Sequence, residues 1–289
     1  MISVIVPTFN RAAFIEKALV SILNQTCPCE EVLVIDDGSS DATEAIVSRI
    51  AGQSKVEIRY IYQQNRGVSA ARNRGIAEAR YDILCFLDSD DWWDVTKLEL
   101  QLTAMEQEPD YLISHTRELW HRHGKRVNQK KKHHPPHGDI FCRSLEMCVV
   151  GMSTVMARRQ LFEQYGFFDE SLSCCEDYDL WLRVGRKEPF LLIDEPLTLK
   201  DGGRQDQLSA IHRLGMDTWR IRSICNLLEN CTLTPEQHRL ALAELNRKCT
   251  IYGNGCIKHG RPEEGDRYLT LPVNYLNCES ESKTRNQKL

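Results

Sequence analysis

Long apolar segments are missing from this chain of 289 residues: no run of about 18 apolar residues, the length that a membrane-spanning helix needs, occurs in it. The apolar run in residues 1–7 is not preceded by the positively charged segment that a secretory signal has, and the run itself is too short for one. We therefore expect a cytoplasmic protein without a membrane span, for which peripheral association with a membrane stays open.

Zinc-type cysteine spacing and an excess of positive charge are missing as well. The 12 cysteines include two tight pairs, Cys27/Cys29 and Cys174/Cys175, and neither has the Cys-x-x-Cys spacing of a zinc site. Because no export is indicated, we expect reduced thiols rather than a disulfide framework. Lysine and arginine number 37 against 41 acidic residues, which argues against a nucleic-acid partner because proteins that follow a phosphate backbone are basic.

Strand and helix patterns alternate in the first part of the chain. The order of apolar runs and helical spacings, β-α-β-α-β-α-β, predicts parallel strands joined by right-handed crossovers. The strand ends at positions 7, 36 and 88 should therefore lie along one edge of a sheet. The composition, 42% hydrophobic, suffices for the core of one large or two modest domains. The runs typical of strands are 2–6, 32–35, 56–62 and 83–87.

Acidic residues follow two of these strands. Asp88, Asp90 and Asp91 lie directly after the fourth apolar run, and Asp36-Asp37 follow the second. Ligands of α/β sheets bind at the carboxyl ends of the strands. Carboxylates packed this closely repel one another unless water or a cation compensates them, which favours a divalent metal. A solvated strand end with a helix N-cap is the alternative.

The segment 121–137 is rich in both histidine and basic residues. Positions 120–127 have the pattern of a hairpin that turns at His123-Gly124. Histidine-rich composition specifies neither a metal nor a geometry, so the segment is either a solvated, mobile loop or one that gates or contacts an acceptor.

Beyond residue 210 the pattern turns helical. Thr234 opens a helix as N-cap, with a proline at the first helical position and a glutamine at the third. Gly260 separates two helical stretches, 249–259 and 262–271, and one such pair cannot form a solenoid. We expect these helices to pack on the rest of the chain or to form a homo-oligomer surface, and residues 277–289 to be a disordered tail.

Six motifs, in order and spacing, resemble those of the family 2 glycosyltransferases with the GT-A fold. The resemblance covers roughly residues 1–215 and implies an α/β fold: a Rossmann-like, nucleotide-binding, mainly parallel sheet, followed here by a helical C-terminal extension. The motifs are Ile-Ser-Val-Ile-Val-Pro-Thr-Phe-Asn (2–10), Val-Ile-Asp-Asp-Gly-Ser-Ser-Asp (34–41), Asn-Arg-Gly-Val-Ser-Ala-Ala-Arg-Asn-Arg-Gly (65–75), Asp-Ser-Asp-Asp (88–91), Gly-Phe-Phe-Asp-Glu (166–170) and Glu-Asp-Tyr-Asp-Leu-Trp-Leu-Arg (176–183).

The resemblance implies a metal-dependent, inverting enzyme of the hexosyltransferase type. It would move a sugar from a UDP-sugar to a hydroxyl of a saccharide or lipid-linked saccharide acceptor in polysaccharide or glycoconjugate synthesis. The chain would divide into a nucleotide-sugar-binding half (1–105), an acceptor-binding half (106–215) and the helical extension (216–276).

Two other classes of function stay open on the residues alone. One is a phosphohydrolase with an aspartate-rich metal site, which would need an acid at the end of the first strand, where Pro7 and Thr8 stand. The other is a non-catalytic scaffold that binds a nucleotide sugar, against which the joint presence of Asp88, Asp90 and Asp177 argues.

Donor contacts implied by the resemblance come from the strand ends. Thr8, next to Pro7, and Asp37 would contact the uracil or ribose, with Asp37 accepting from a ring N–H. Asp88 would contact the sugar nucleotide, with Ser89 beside it.

Metal and phosphate contacts are implied in the same region. Asp90 would bind the Mn²⁺ or Mg²⁺ that bridges the diphosphate, with Asp91 as an adjacent supporting residue. Gly67 and the helix start after it would let backbone N–H groups approach a phosphate. Arg72 would contact the diphosphate or the base, or be a surface residue of its helix.

The pair Glu176-Asp177 matches the family's acceptor-site motif, in which the aspartate is the general base. Such a base must reach the acceptor hydroxyl from the side opposite the leaving group. The alternative is that Asp177 only caps its helix.

A loop over the diphosphate is also implied, and Arg204 and His212 fall where relatives carry it. The family's serine-rich version of this loop is absent here. Trp92, Trp93 and Trp181 either stack on sugar faces or pack in the core.

Overall fold

Strands and helices alternate along the first part of the computed structural model, which describes residues 1–122, 125–212 and 215–276. All 7 residues of the first strand are buried, as an unbroken apolar run predicts for a strand covered on both faces. The elements of this part are β1 (Ile2–Thr8), α1 (Ile15–Leu23), β2 (Glu31–Asp36), α2 (Thr43–Ala51), β3 (Glu57–Tyr62), α3 (Val68–Glu78) and β4 (Ile83–Phe86).

These four strands are parallel and lie in the order β3-β2-β1-β4, as the alternating pattern predicts. The register places Thr8 beside Asp36, and the N–H of Leu87 binds the carbonyl of Ile5, so the strand ends meet at one edge. Helix α3 packs very closely on β1 at Gly75. A Cβ added there would lie 2.4 Å from Cγ2 of Ile5, so this approach requires glycine.

The second part of the chain is less regular. It contains 3₁₀ turns at Lys131–His133 and Met152–Thr154 besides its helices and strands. Its elements are β5 (Asp91–Trp93), α4 (Lys97–Gln107), β6 (Ile113–Arg122), β7 (Lys125–Val127), α5 (Phe141–Glu146), β8 (Met156–Arg158), α6 (Arg159–Tyr165), α7 (Glu176–Gly185), β9 (Leu191–Gly202), α8 (Leu208–Ile211), α9 (Met216–Asn230), α10 (Pro235–Lys258), α11 (Pro262–Thr270) and α12 (Val273–Leu276).

The later strands extend the same sheet and make it mixed. Beyond β4 the order continues β8-β6-β9-β5, and β7 pairs antiparallel with β6. Strand β8 is antiparallel to β4 and β6, whereas β6 and β9 are parallel. The antiparallel pairing of β5 with β9 sets Asp91 opposite Lys200, which brings a cation to the acidic cluster.

Apolar side chains cover both faces of the sheet. One core contains Ile5, Phe86 and Trp181, and the other contains Val4, Leu19 and Leu98. Burial of this apolar area is the main stabilising term of the fold. It also fixes the acidic strand ends, because they follow directly on fully buried residues.

The C-terminal helices form a third core with α5 and α7. The predicted capping box at Thr234 is confirmed, since Thr234 and Gln237 exchange side-chain and backbone hydrogen bonds. The first helix of the predicted pair is longer than expected and runs unbroken from Pro235 to Lys258. The predicted hairpin strands β6 and β7 are present, while its turn at 123–124 and the tail 277–289 lie outside the described residues.

Candidate active site

The ends of β1 and β2 form the predicted donor edge. Pro7 and Thr8 are buried, and the carbonyl of Thr8 accepts the N–H of Asp37 at 2.8 Å. The hydroxyl of Thr8 is buried without a hydrogen-bond partner in the described part of the chain. Buried hydroxyls are normally paired, so this oxygen is a group that a ligand can satisfy.

Asp37 holds the turn that precedes α3. Its carboxylate accepts the side-chain amide of Gln63 at 2.7 Å and the backbone N–H groups of Arg66 and Gly67 at 2.9 and 2.8 Å. The φ of Gly67 is +91°, a value that favours glycine. Because Asp37 accepts the N–H of Gly67, the backbone N–H groups left without a helical partner here are those of the first turn of α3, and the predicted phosphate contact would fall to them.

Arg72 bridges the donor edge and the start of α7. Its guanidinium donates to Asp88 at 2.7 Å and to Glu176 at 2.5 Å, and its side chain is only 4% exposed. Burial alone would lower the pKa of Arg72, but the two carboxylates raise it. The surface position considered for Arg72 is therefore wrong: its side chain is buried between the carboxylates of Asp88 and Glu176.

The pKa values of the two carboxylates paired with Arg72 are shifted in opposite directions. Burial opposes ionisation of Asp88, yet Arg72 and Lys200 hold its pKa below the usual value. The pKa of Glu176 is raised, mainly by burial, although Arg72 opposes this shift. Ser89, which follows Asp88, is buried.

Asp90 is paired with Arg204, which the sequence placed in a loop over the diphosphate. The guanidinium of Arg204 contacts the carboxylate of Asp90 and lies 4.2 Å from the ring centre of Phe14. It also donates to the carbonyl of Asp201 at 2.9 Å. The structure thus brings Arg204 to the acidic cluster, while His212 follows the short helix α8.

Asp91 lies behind this pair in a buried network. It accepts the hydroxyl of Ser153 at 2.7 Å and lies 3.7 Å from the ammonium of Lys200, which contacts Glu118 at 3.2 Å. Burial and the nearby Asp90 raise the pKa of Asp91 well above its usual value, while Lys200 opposes the shift. Sequence reasoning missed both Lys200 and Ser153. The pairing of β5 with β9 brings Lys200 to the acidic cluster, and Ser153 lies on the 3₁₀ turn before β8, which is antiparallel to β4.

Asp177 lies at the start of α7, after Cys175 with φ +63°. One carboxylate oxygen accepts the N–H of Tyr178 at 2.7 Å, and the other accepts the thiol of Cys148 at 3.2 Å. Burial and the adjacent Asp177 raise the pKa of Cys148, so the thiol stays protonated and donates. Asp177 therefore binds an N–H of the first helical turn and still presents its carboxylate to a cavity.

That cavity has a volume of about 210 Å³. Its wall includes Asp177, Cys148 and Lys200, together with Lys132 and His133 from the basic segment. The predicted base, Asp177, therefore lines the same cavity as two residues of the segment 121–137, for which a contact with the acceptor was considered.

The three tryptophans considered for sugar stacking lie in two different environments: two are buried and one is half-buried. Trp93 and Trp181 are 3% and 1% exposed, and their indole N–H groups donate to the carbonyls of Ser153 and Val150. Sugar stacking by these two is therefore wrong, because their rings are packed in the core. Trp92 is half-buried, with the ammonium of Lys17 over its ring.

The carboxylates of the acidic cluster are of the kind that can bind a divalent cation. No group of three His, Cys, Asp or Glu side chains converges as a complete metal site among the described residues. Mg²⁺ and related ions, however, bind in nucleotide enzymes through one or two carboxylates plus substrate phosphates. Asp90 and Asp88 offer hard oxygen ligands of that kind, and Arg204 shows that Asp90 attracts a cation.

Comparison of sequences assigns the chain to a family. The sequence model described as glycosyl transferase family 2 matches residues 3–166, more than half of the chain. The protein therefore belongs to this family. Membership in this family argues against the phosphohydrolase considered from the sequence.

Several curated relatives are named as glycosyltransferases. Uncharacterized glycosyltransferases of Rickettsia felis and Rickettsia conorii are each 36% identical over 203 residues, which is 68% of this chain. The matched part is 32% of each relative, so the chain spans about a third of their length. TuaG of Bacillus subtilis, whose name assigns it to teichuronic acid biosynthesis, is 29% identical over 65% of this chain and 73% of its own length.

Solved structures share the GT-A fold. TarS of S. aureus, residues 1–349, in complex with UDP-GlcNAc superimposes with a TM-score of 0.74 at 19% identity, covering 95% of this chain and 80% of that one. The mannosyltransferase PcManGT of Pyrobaculum calidifontis, in complex with GDP-Man and Mn²⁺, gives a TM-score of 0.59 at 17% identity, covering 95% and 84%. Within the described residues, every helix is too short or too polar to cross a membrane.

Proposed function

We propose that this protein is a metal-dependent, inverting glycosyltransferase that transfers a sugar from a UDP-sugar to a hydroxyl of a saccharide or lipid-linked saccharide. One observation carries the proposal: the buried Arg72 ties Asp88 of the donor edge to Glu176, the residue before Asp177. One guanidinium thus fixes the proposed donor side of the site next to the proposed acceptor side. A transfer between two bound substrates requires that these two sides be held close together.

The comparisons support the choice of substrates. TarS complexes contain UDP-GlcNAc or UDP, and the name of TuaG points to a polysaccharide product. The orphaned hydroxyl of Thr8 supports a contact with the base or ribose. Asp37, whose Oδ2 accepts one N–H, keeps acceptor capacity for a ring N–H of uracil.

Asp90, with Asp88, would hold the divalent ion proposed here. When bound, such an ion stabilises charge on the leaving diphosphate as a Lewis acid. The guanidinium of Arg204 contacts the carboxylate of Asp90. We infer that Arg204 exchanges this carboxylate for a phosphate oxygen, which a guanidinium binds equally well.

Asp177 is the proposed general base. Its two oxygens are oriented by Tyr178 and Cys148, and its carboxylate lies on the cavity wall. An acceptor hydroxyl in that cavity would transfer its proton to Asp177 while its oxygen attacks the anomeric carbon. Departure of the diphosphate on the opposite side inverts that carbon.

Calorimetric titration with UDP tests the donor and metal assignments together. Wild-type protein should bind UDP at least about tenfold more tightly in Mn²⁺ than in EDTA, and Asp90→Asn should lose that difference and its turnover. Asp82→Asn, at the other end of β4 and 94% exposed, is the matched control and should behave as wild type. Equal UDP affinity in Mn²⁺ and EDTA for wild type contradicts the metal assignment.

A further inference from the structure

A second cavity, of about 500 Å³, adjoins the one that contains Asp177, and the two share Lys132 and Met147. Four of the six residues that line it are cations, although the whole chain has a net charge of −4. The concentration of positive charge is therefore a local property of this cavity. Its lining residues are Lys132, Arg143, Glu146, Met147, Arg220 and Arg247.

The four cations come from four different elements. Lys132 belongs to the 3₁₀ turn Lys131–His133, Arg143 to α5, Arg220 to α9 and Arg247 to α10. A solvated basic face of one helix would place its cations along a single element. Convergence of separate elements instead creates one concave surface of positive potential, which attracts anions.

Neighbouring carboxylates neutralise only part of this charge. Arg220 lies 3.3 Å from Asp217, and Arg247 lies 2.6 Å from Glu244. Glu146 is the acidic residue of the lining itself.

Lys132 and Arg143 are different, because neither forms an ion pair with a carboxylate among the described residues. Arg143 donates to the carbonyl of Lys132 at 2.9 Å, which fixes the two residues side by side. They form a pair of cations without an ion-pair partner at the boundary between the two cavities, and Glu146 is the one carboxylate that lines the same cavity.

We propose that this second cavity binds an anionic group of the acceptor, a phosphate or a carboxylate, while the accepting hydroxyl lies at Asp177. The inference rests on the proposed function and adds the chemical class of its acceptor. Arginine forks and lysine ammonium groups are the side chains that bind such anions. The shared wall at Lys132 lets one molecule occupy both cavities, so an acidic saccharide fits better than a neutral one.

Two small anions probe the site without turnover. Glycerol 1-phosphate and glucuronate are titrated separately into protein saturated with UDP and Mn²⁺, so that the donor site is filled. Wild type should bind at least one of them saturably, and the preferred probe identifies phosphate or carboxylate. Lys132→Gln/Arg143→Gln should weaken that binding at least about tenfold, because it removes the two cations without an ion-pair partner.

Lys55→Gln/Arg239→Gln is the matched control, since it removes the same charge from exposed positions outside both cavities. It should bind the probe as wild type does. If Lys132→Gln/Arg143→Gln does not fold, Arg247→Gln tests the same cavity from another helix. Failure of both probes to bind wild type, or equal losses in the test and control variants, overturns the inference.

UDP titration separates this inference from the proposed function. Protein that binds UDP but shows no dependence of anion binding on Lys132 and Arg143 retains the proposed donor and loses only the anionic acceptor. Protein that binds the anion through these residues but does not bind UDP retains the cavity assignment and loses the proposed donor.

Discussion

Nη1 of Arg72 lies 2.5 Å from Oε1 of Glu176, although the two residues are 104 positions apart in the chain. This contact joins α3, which packs on the parallel strands β1 and β2, to α7, whose second residue is Asp177. The guanidinium reaches Asp88 at the same time. Displacement of Arg72 would therefore disturb both edges of the site, even though its buried position keeps it from the surface of the protein.

Replacement of Arg72 by methionine should be strongly destabilising. It leaves the carboxylates of Asp88 and Glu176 without their cation, and removing one partner of a buried pair costs about 3–5 kcal/mol in the free energy of unfolding. Asp88 is 30% exposed and solvent compensates part of its charge, so we expect a value near the lower limit. Urea unfolding measures the change.

Arg74→Met is the matched control for that experiment. Arg74 lies on the same helix, is 52% exposed, and pairs with Glu78 on the surface. Its replacement should change the free energy of unfolding by less than about 1 kcal/mol. If Arg72→Met and Arg74→Met are equally mild, the bridge does not hold the two edges together.

Deletion of residues 130–134 should affect the acceptor and spare the donor. Lys132 and His133 line the cavity of Asp177, whereas the proposed donor edge lies at the ends of β1, β2 and β4. We expect the KM for the acceptor to rise at least about tenfold, with UDP affinity nearly unchanged. Steady-state kinetics and UDP titration measure the two effects.

Lys130→Gln/Lys131→Gln is the control, because these lysines belong to the same segment but do not line the cavity. Its KM should stay near that of wild type. A deletion that weakens UDP binding, or leaves the acceptor KM unchanged, shows that the segment does not act at the acceptor.

The donor edge could be predicted from the sequence because its signals are local. An apolar run followed by Asp88 or Asp36-Asp37 defines a strand and its polar end, and crossover rules bring such ends together. The positions of Thr8, Asp37, Asp88 and Asp90 follow from that logic, while their proposed ligand contacts stay predictions.

The polar network behind the cluster could not be predicted in the same way. Lys200 and Ser153 reach Asp91 only through antiparallel strands that pair late segments of the chain with early ones. Such pairings have no short-range sequence signal. Arg72 illustrates the same limit, since its helix pattern does not reveal that the two carboxylates surround it.

His115 should make the protein less stable in mild acid. The residue lies on β6 with no exposed surface, its ring packs edge-on against Phe190, and burial lowers its pKa to about 3. An unfolded histidine has a pKa of about 6.5, so the unfolded chain takes up the proton that the folded chain excludes as the pH falls.

Between pH 7 and pH 5 this difference should cost about 2 kcal/mol of unfolding free energy. His115→Leu should remove that part of the pH dependence, whereas His259→Leu, at an exposed position, should leave it in place. Urea unfolding at the two pH values measures it. An equal loss of stability in wild type and His115→Leu contradicts the assignment.

Asp177→Asn should separate the chemical step from donor binding. The asparagine keeps the size of the side chain and can still accept the N–H of Tyr178, but it lacks the basic carboxylate. Transfer should therefore fall by ~10² to 10⁴, while UDP affinity stays near that of wild type. Asp110→Asn, an exposed position after α4, is the control and should keep full activity.

The proposed role of Asp177 also predicts the anomeric configuration of the product that the wild-type enzyme forms. If Asp177 activates the acceptor hydroxyl for a single attack opposite the leaving diphosphate, an α-linked UDP-sugar must give a β-linked product. The anomeric proton coupling measured by NMR distinguishes the two linkages. An α-linked product requires a second displacement or a front-side mechanism, and a variant rate within a few-fold of wild type requires another base. An α-linked product contradicts the role proposed for Asp177, because a single attack assisted by one base inverts the anomeric carbon. A variant rate near that of wild type contradicts it too, because the carboxylate would then not be needed for the proton transfer.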